Sequence, residues 1–330
     1  MHQRIVFQHT YHDIISLENL LAAWKEFVVG KHQRHDVQIF ERNLMENIIT
    51  LHTELSAKIY KHSAYEAFTI SDPKQRIIHK ARVRDRLLHH AVFRLLHPFF
   101  DRTFIADSYS CRKNKGTHKA INKFRTFSLK VSKNNTKTVW VLKCDIKKFF
   151  ASINHDVLMN ILQKYIFHED VCWLLNRIIG SFYSAREGIG LPLGNLTSQL
   201  FANVCMNEFD QHVKHKLKAV CYIRYADDFV VLSQDRNMLE RMLPCIQSFL
   251  ETRLYLQLHP DKVFIKTLAS GTDFLGWVHF PDHRVLRTAT KRRIFQRVRM
   301  NKQPASIQSY LGLLGHGNAH KLQERVLTIL

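Results

Sequence analysis

An α+β fold is the expectation for this chain of 330 residues, on three observations. Apolar residues recur at helical spacing in several segments. β-rich runs interrupt them without strict alternation, which argues against a doubly wound sheet. No internal repeat or low-complexity linker breaks the chain, and its length suits two or three lobes around a sizeable core.

Residues 15–29 place Ile15, Leu17, Leu20, Leu21, Trp24 and Phe27 three and four apart, which predicts an amphipathic helix, and 42–60 predict another. In 71–100 a Pro-containing turn and a short strand lead into a helix with Leu87, Leu88, Val92, Leu95 and Leu96 inward. Residues 108–125 are a basic loop, punctuated by Gly116, that feeds a helix. Residues 138–153 open as strand and end in aromatics; Asn154 suits the N-cap of a helix over about 155–166. Residues 169–182 continue helical, 185–195 are a Gly/Pro turn region, and Phe201, Cys205, Phe209 and Val213 share one helical face. The run CYIRYADDFVVLS, 221–233, reads as a hairpin with a tight turn at its acidic pair. A helix near 237–253, a strand near 263–267, the segment TDFLGWVHF at 272–280 and a basic helical tail from about 288 complete the chain.

Lys and Arg number 49 against 28 Asp and Glu, a net charge of +21 spread along the chain, which points to a polyanionic partner such as nucleic acid. The six cysteines (Cys111, Cys144, Cys172, Cys205, Cys221, Cys245) form no C-x-x-C pair and read as reduced core residues. The 21 histidines lack ligand spacing with cysteine or acid, which disfavours zinc. The first twenty residues hold no signal-peptide core and no apolar run approaches membrane-spanning length, so no membrane partner and a cytoplasmic location are expected.

The chemistry lies in the acids. Asp227 and Asp228 stand side by side within an apolar strand pair, where two carboxylates repel each other unless something positive neutralises them. Asp145 ends the strand Val139–Cys144, and one antiparallel sheet would bring it to the hairpin. Asp oxygens suit Mg²⁺, which takes further ligands from water and phosphate. Two such ions about 4 Å apart activate an attacking hydroxyl and stabilise a leaving oxygen, the arrangement of phosphoryl transfer. An Asp-Asp pair in a turn is ordinary by itself; the apolar flanks, the preceding Tyr225 and the second strand ending in Asp145 shift the reading to catalysis.

YADD at 225–228 and CDIKKFFASI at 144–153 resemble motifs C and A of reverse transcriptases. KQRIIHKARVRDRLLHHAV resembles that family's fingers motif, LPLGNLTSQLFANV its motif B, LHPDK at 258–262 its motif D, FLGW at 274–277 its primer grip, and SYLGLLGHGNAHKL at 309–322 its thumb end. The motifs follow the family's order from about residue 60 to 322. The resemblance implies a right-hand polymerase fold: an N-terminal helical extension over 1–62, fingers over 63–140, a palm over 141–280 with an insertion at about 154–189, and a thumb over 281–330. It implies that Asp145, Asp227, Asp228 and the Ile146 carbonyl hold two Mg²⁺ ions, with Mn²⁺ as a substitute, while a primer 3′-hydroxyl attacks the α-phosphorus of a deoxynucleoside triphosphate.

The resemblance extends to further residues. Lys74 and Arg76 would grip the triphosphate, and Lys262 would protonate departing pyrophosphate. Phe150 would lie under the sugar and exclude a 2′-hydroxyl, with Phe149 in the core. Leu193, Gly194 and Gln199 would border the nucleotide. Phe274, Leu275 and Gly276 would be the primer grip, and Lys291, Arg292, Arg293 and Arg297 would track the nucleic-acid backbone, with Ile294 and Val298 inward.

Many relatives have Gln where this chain has Leu193. An apolar residue before Gly194, with Ser198-Gln199 closing the motif, resembles the reverse transcriptases of diversity-generating retroelements. That family copies a template-repeat RNA with errors at adenines, and its enzyme works with a small basic accessory protein that binds the RNA. A length without endonuclease, maturase or RNase H extensions agrees. The template RNA and the cDNA–RNA hybrid are then the expected partners. The alternatives are a reverse transcriptase of a phage-defence system or a retron with its own non-coding RNA, and a non-catalytic RNA-binding scaffold. The retron signatures are missing, and a scaffold would usually have lost one of the three aspartates.

Overall fold

The computed structural model describes residues 5–71, 75–300 and 303–328. The chain divides into two compact units interleaved in sequence. The first comprises Met1–Ala106, Lys147–Gln211 and Ser248–Gln257, the second Asp107–Ile146, His212–Gln247 and Leu258–Leu330.

In the first unit the helix expected over 15–29 is Leu17–Val28, preceded by a separate short helix, Tyr11–Ile15. Ser16 ends the short helix and caps the longer one, its hydroxyl accepting from the Asn19 amide. A capping box at Thr10 and Asp13 explains the extra turn. Helices His35–Arg42 and Leu44–Ser56 follow. The first of these is unforeseen: with only Val37 and Phe40 buried, its apolar period is too short to read. Leu20, Trp24 and Phe27 pack towards the long helix Val83–Asp101, on which Leu87, Leu88, Val92 and Leu96 are buried and Leu95 is half-buried. Strands β1 (Glu66–Ile70) and β2 (Arg76–Lys80) form an antiparallel hairpin with Phe68, Ile70 and Ile77 exposed. Asn154 caps His155–Gln163 as expected, accepting from the Val157 amide, and Glu169–Ile179 follows. Helix Leu196–Gln211 is buried nearly all round: Phe201, Cys205 and Phe209 lie inside, and so do Thr197, Ser198, Asn203 and Asn207.

The second unit holds helix Thr117–Ser132 and a four-stranded antiparallel sheet, β3 (Trp140–Asp145), β4 (Tyr222–Tyr225), β5 (Asp228–Ser233) and β6 (Phe264–Thr267), in the order β4-β5-β3-β6. β3 and β5 are buried on both faces over their central four residues, which explains the continuous apolar run of β5 and the apolar run of β3 broken only by Lys143. Phe124, Phe127, Val141, Ile223, Val230, Leu232 and Phe274 form one core cluster. A second core joins Trp277, Ile294, Val298, Ile307, Leu314 and Val326, under a three-stranded sheet of β7 (Thr272–Phe274), β8 (Trp277–His279) and β9 (Arg284–Leu286) and helices Thr288–Met300, Pro304–Leu314 and His320–Leu327.

The cysteine expectation needs correction. All six are free, but only Cys144, Cys205 and Cys221 are buried; Cys172 is half-buried, and Cys111 and Cys245 are exposed. Cys111 sits at φ 53°, in a turn, and Cys245 on the outer face of helix Arg236–Arg253. Among the described residues no helix is long and apolar enough to cross a membrane.

Candidate active site

Strand register gathers the three aspartates. Asp145 ends β3 directly opposite Asp228, which begins β5. Tyr225 of β4 also pairs with Asp228, so the hairpin tip is the two-residue turn Ala226-Asp227, one residue earlier than the acidic pair expected from the sequence. Ala226 takes φ 55°, the left-handed region where glycine is preferred, at a cost of about 1–2 kcal/mol. The surroundings hold this turn. The Arg224 guanidinium donates to the Ala226 carbonyl at 3.0 Å, and the Ile146 amide donates to the Asp227 carbonyl at 3.3 Å. On the other side of β3, Leu258 bridges Ile146, and the His259 amide donates to the Asp145 carbonyl at 2.8 Å. The LHPDK segment is thereby laid against the acidic strand end.

Lysines supply the positive charge that the acids require. Lys262 Nζ donates to Asp145 Oδ1 at 3.0 Å. Lys143 Nζ lies 3.5 Å from Asp228 Oδ2, with its own side chain only 9% exposed. Asp228 Oδ1 is buried with no hydrogen-bond partner. Burial pushes the Asp228 carboxyl up to about 7; Asp145 and Asp227 push the same way, and Lys143 opposes them. Among the described residues no three His, Cys, Asp or Glu side chains are closed into a metal cage, and Asp145 and Asp228 are each turned to a lysine instead. The donor set still fits a hard divalent cation. It is all oxygen, and it includes one buried carboxylate oxygen with nothing to accept from. Sequence reasoning passed over Lys143 and Arg224. The signal was a charged residue in each otherwise apolar strand, two positions before Asp145 and three before Asp227.

The residues expected around the nucleotide lie in the first unit. A strap joins β2 to the motif B loop: the His79 amide donates to the Leu193 carbonyl at 2.9 Å, and Asn195 Nδ2 donates to the His79 carbonyl at 2.9 Å. Gly194 stands between them at φ 107°, where an added Cβ would lie 2.7 Å from Ile78 Cγ2. Both conformation and space demand glycine there. Arg76, exposed at the start of β2, is thus tied to the loop carrying Leu193 and Gly194. The same loop bonds to the segment after motif A, through Leu191 N to Phe150 O at 2.7 Å and Gly190 N to Ile153 O at 2.8 Å. Phe149 is buried and Phe150 half-buried, an edge-on pair with ring centroids 5.3 Å apart. Gln199 is half-buried on the first turn of helix Leu196–Gln211. Lys74 lies outside the described residues. Asn195 was not foreseen as functional; its place between Gly194 and the helix start was the available sign.

The family model for "Reverse transcriptase (RNA-dependent DNA polymerase)" matches residues 60–279. The chain belongs to the reverse transcriptase family. Protein YkfC of Escherichia coli (strain K12) is 27% identical over 261 residues, covering 67% of this chain and 66% of YkfC. The group II intron-encoded protein LtrA of Lactococcus lactis subsp. cremoris is 20% identical over 276 residues, covering 63% of this chain and 44% of LtrA. Telomerase from Candida albicans, solved with a fragment of telomeric RNA, superposes with a TM-score of 0.50 at 11% identity, over 73% of this chain and 50% of that one. That likeness shows the fold, which is the right-hand polymerase fold. The chain spans about two thirds of YkfC and less than half of LtrA.

Two further sets of expected residues of this reverse transcriptase-family chain lie in the second unit. Phe274 is fully buried; Leu275 and Gly276 form the two-residue turn between β7 and β8, at φ 52° and 85°. Positive φ at both central residues is what a type I′ hairpin turn requires, and this explains Gly276. Of the basic residues, Lys291 and Arg292 line a groove of about 520 Å³ together with Phe295, Arg299 and Arg325, and Arg325 lies over the Phe295 ring at 5.1 Å. Arg293 and Arg297 are not among its lining residues. Ile294 and Val298 are buried as expected.

Proposed function

We propose that the chain is an RNA-templated DNA polymerase, adding deoxynucleotides to a primer 3′-hydroxyl with release of pyrophosphate. The observation that carries this reading is the facing pair Asp145 and Asp228 with Asp227 at the adjoining turn, an all-oxygen set that includes one buried unsatisfied carboxylate oxygen, on a right-hand polymerase fold. Asp145, Asp227, Asp228 and the Ile146 carbonyl would hold two Mg²⁺ ions, or Mn²⁺ in their place. When bound, these supply Lewis-acid activation of the hydroxyl and neutralisation of the phosphate charge. The protein's own part is positioning. In this reading Arg76, with Lys74, draws the triphosphate by its planar fork, and Phe150 excludes a 2′-hydroxyl. Lys262 donates the proton that pyrophosphate takes; its ion pair with Asp145 supports that place in the site. Phe274, Leu275 and Gly276 present backbone to the primer end, and Lys291, Arg292, Arg293 and Arg297 follow the backbone of the hybrid. Fingers, palm and thumb are assigned to 63–140, 141–280 and 281–330.

The finer reading is an error-prone enzyme of a diversity-generating retroelement, copying a template-repeat RNA with a small basic RNA-binding protein as partner. Leu193 supports it, because an apolar side chain before Gly194 offers the nucleotide no hydrogen bond. A second reading, an intron-encoded reverse transcriptase, is favoured by the likeness to LtrA. The test is deoxynucleotide extension on an RNA template. Wild type extends and Asp227→Ala does not, at unchanged fold; equal extension by both overturns the polymerase. Misincorporation concentrated at template adenines separates the retroelement reading from the intron reading.

A further inference from the structure

Arg224 is fully buried in β4. Burying a guanidinium costs more than burying an apolar side chain of the same volume, so packing alone does not account for it. Its geometry does. Nη1 donates to the Ala226 carbonyl at 3.0 Å, and Nη2 donates to Ser108 Oγ at 3.1 Å. The backbone of Arg224 is fixed to the same neighbouring segment. Its amide donates to the Asp107 carbonyl and its carbonyl accepts from the Tyr109 amide, each at 3.0 Å. That segment is in turn held by Lys214 and Lys123, 3.0 and 3.7 Å from the Asp107 carboxylate.

The Ala226 carbonyl belongs to the peptide plane that leads into Asp227. A peptide unit is rigid, so fixing this oxygen fixes the direction in which the Asp227 Cα leaves the turn. The plane on the other side of Asp227 is fixed by the Ile146 amide. Ala226 would otherwise relax from its left-handed conformation, and the Asp227 carboxylate would turn with it.

We infer that Arg224 is a positioning residue. It clamps the Ala226 carbonyl to the Ser108 segment, which aims Asp227 and sets the divalent-ion affinity of the acidic cluster. The inference rests on the proposed reading that Asp227 is an ion ligand. Only the planar two-ended guanidinium reaches both acceptors; Lys cannot.

The test is Mn²⁺ binding to the full chain without nucleotide, followed by electron paramagnetic resonance, beside the Mg²⁺ concentration for half-maximal extension. Arg224→Lys is expected to weaken Mn²⁺ binding by about tenfold or more. The Mg²⁺ requirement should rise in parallel, with KM for template–primer unchanged and unfolding still cooperative. With Ala226→Gly, where the left-handed φ is free of strain, the loss on Arg224→Lys should shrink. Wild-type Mn²⁺ affinity in Arg224→Lys while Asp227→Ala has lost it overturns the clamp. Wild-type affinity in Asp227→Ala overturns the ion-site reading beneath it. Where Arg224→Lys fails to fold, Ser108→Ala removes one anchor alone: a smaller weakening in the same direction supports the clamp, and wild-type affinity overturns it.

Discussion

The carboxyl of Asp228 makes the folded chain sensitive to pH in a way that can be worked out. An ordinary aspartate titrates near 3.8 and Asp228 near 7, raised first by burial and then by Asp145 and Asp227, against Lys143. Between these values the folded chain keeps a proton that the unfolded chain has released. Stability from this group is therefore greatest below about pH 4, falls as pH rises towards 7, and is flat above. The displacement is 7 − 3.8 = 3.2, which at about 1.4 kcal/mol per tenfold step amounts to roughly 4 kcal/mol. Asp228→Asn keeps the shape and removes the titration. The assay is urea unfolding in EDTA, followed by tryptophan fluorescence, from about pH 4.5 to 8 for both proteins; Trp140 on β3 reports from the same sheet. Wild-type stability minus that of Asp228→Asn should decline across this range by a few kcal/mol. A difference that stays constant within about 1 kcal/mol would refute the buried, proton-holding carboxyl.

Three other outcomes are expected. Phe150→Val should raise ribonucleotide incorporation relative to deoxynucleotide, and unaltered sugar selectivity counts against the gate. Leu193→Gln should lower misincorporation opposite template adenine, read by sequencing the cDNA; the same error spectrum removes Leu193 from fidelity. Asn195→Ala leaves the His79 carbonyl without its partner, a loss of about 1 kcal/mol. Amide hydrogen exchange in β2 should quicken about fivefold, whereas unchanged protection would show that the strap does not hold the hairpin.

Local pattern was enough for much of this protein. Largely apolar runs marked β3 and β5 because both are buried on two faces, and Asn154 marked a helix start because its side chain satisfies a free amide there. The motifs carried family and candidate site together, since the proposed chemistry calls for oxygen ligands, which Asp145, Asp227 and Asp228 can supply. Ser16 was harder to read: its capping bond starts the helix at Leu17, although the apolar spacing begins at Ile15.

What the sequence by itself determined, then, was the family, the main strands and helices, and the identity of the acids, all of which depend on residue type and near-neighbour spacing. Only tertiary structure decided which cations answer those acids, because Lys143 and Lys262 reach them through strand register and a remote segment 117 residues from Asp145. It also decided that Arg224 turns inward to hold the Ala226 carbonyl, and that Asn195 straps β2 to the motif B loop. These are contacts between residues distant in the chain or on opposite sides of a turn. Their energies depend on burial and direction, which no spacing rule encodes.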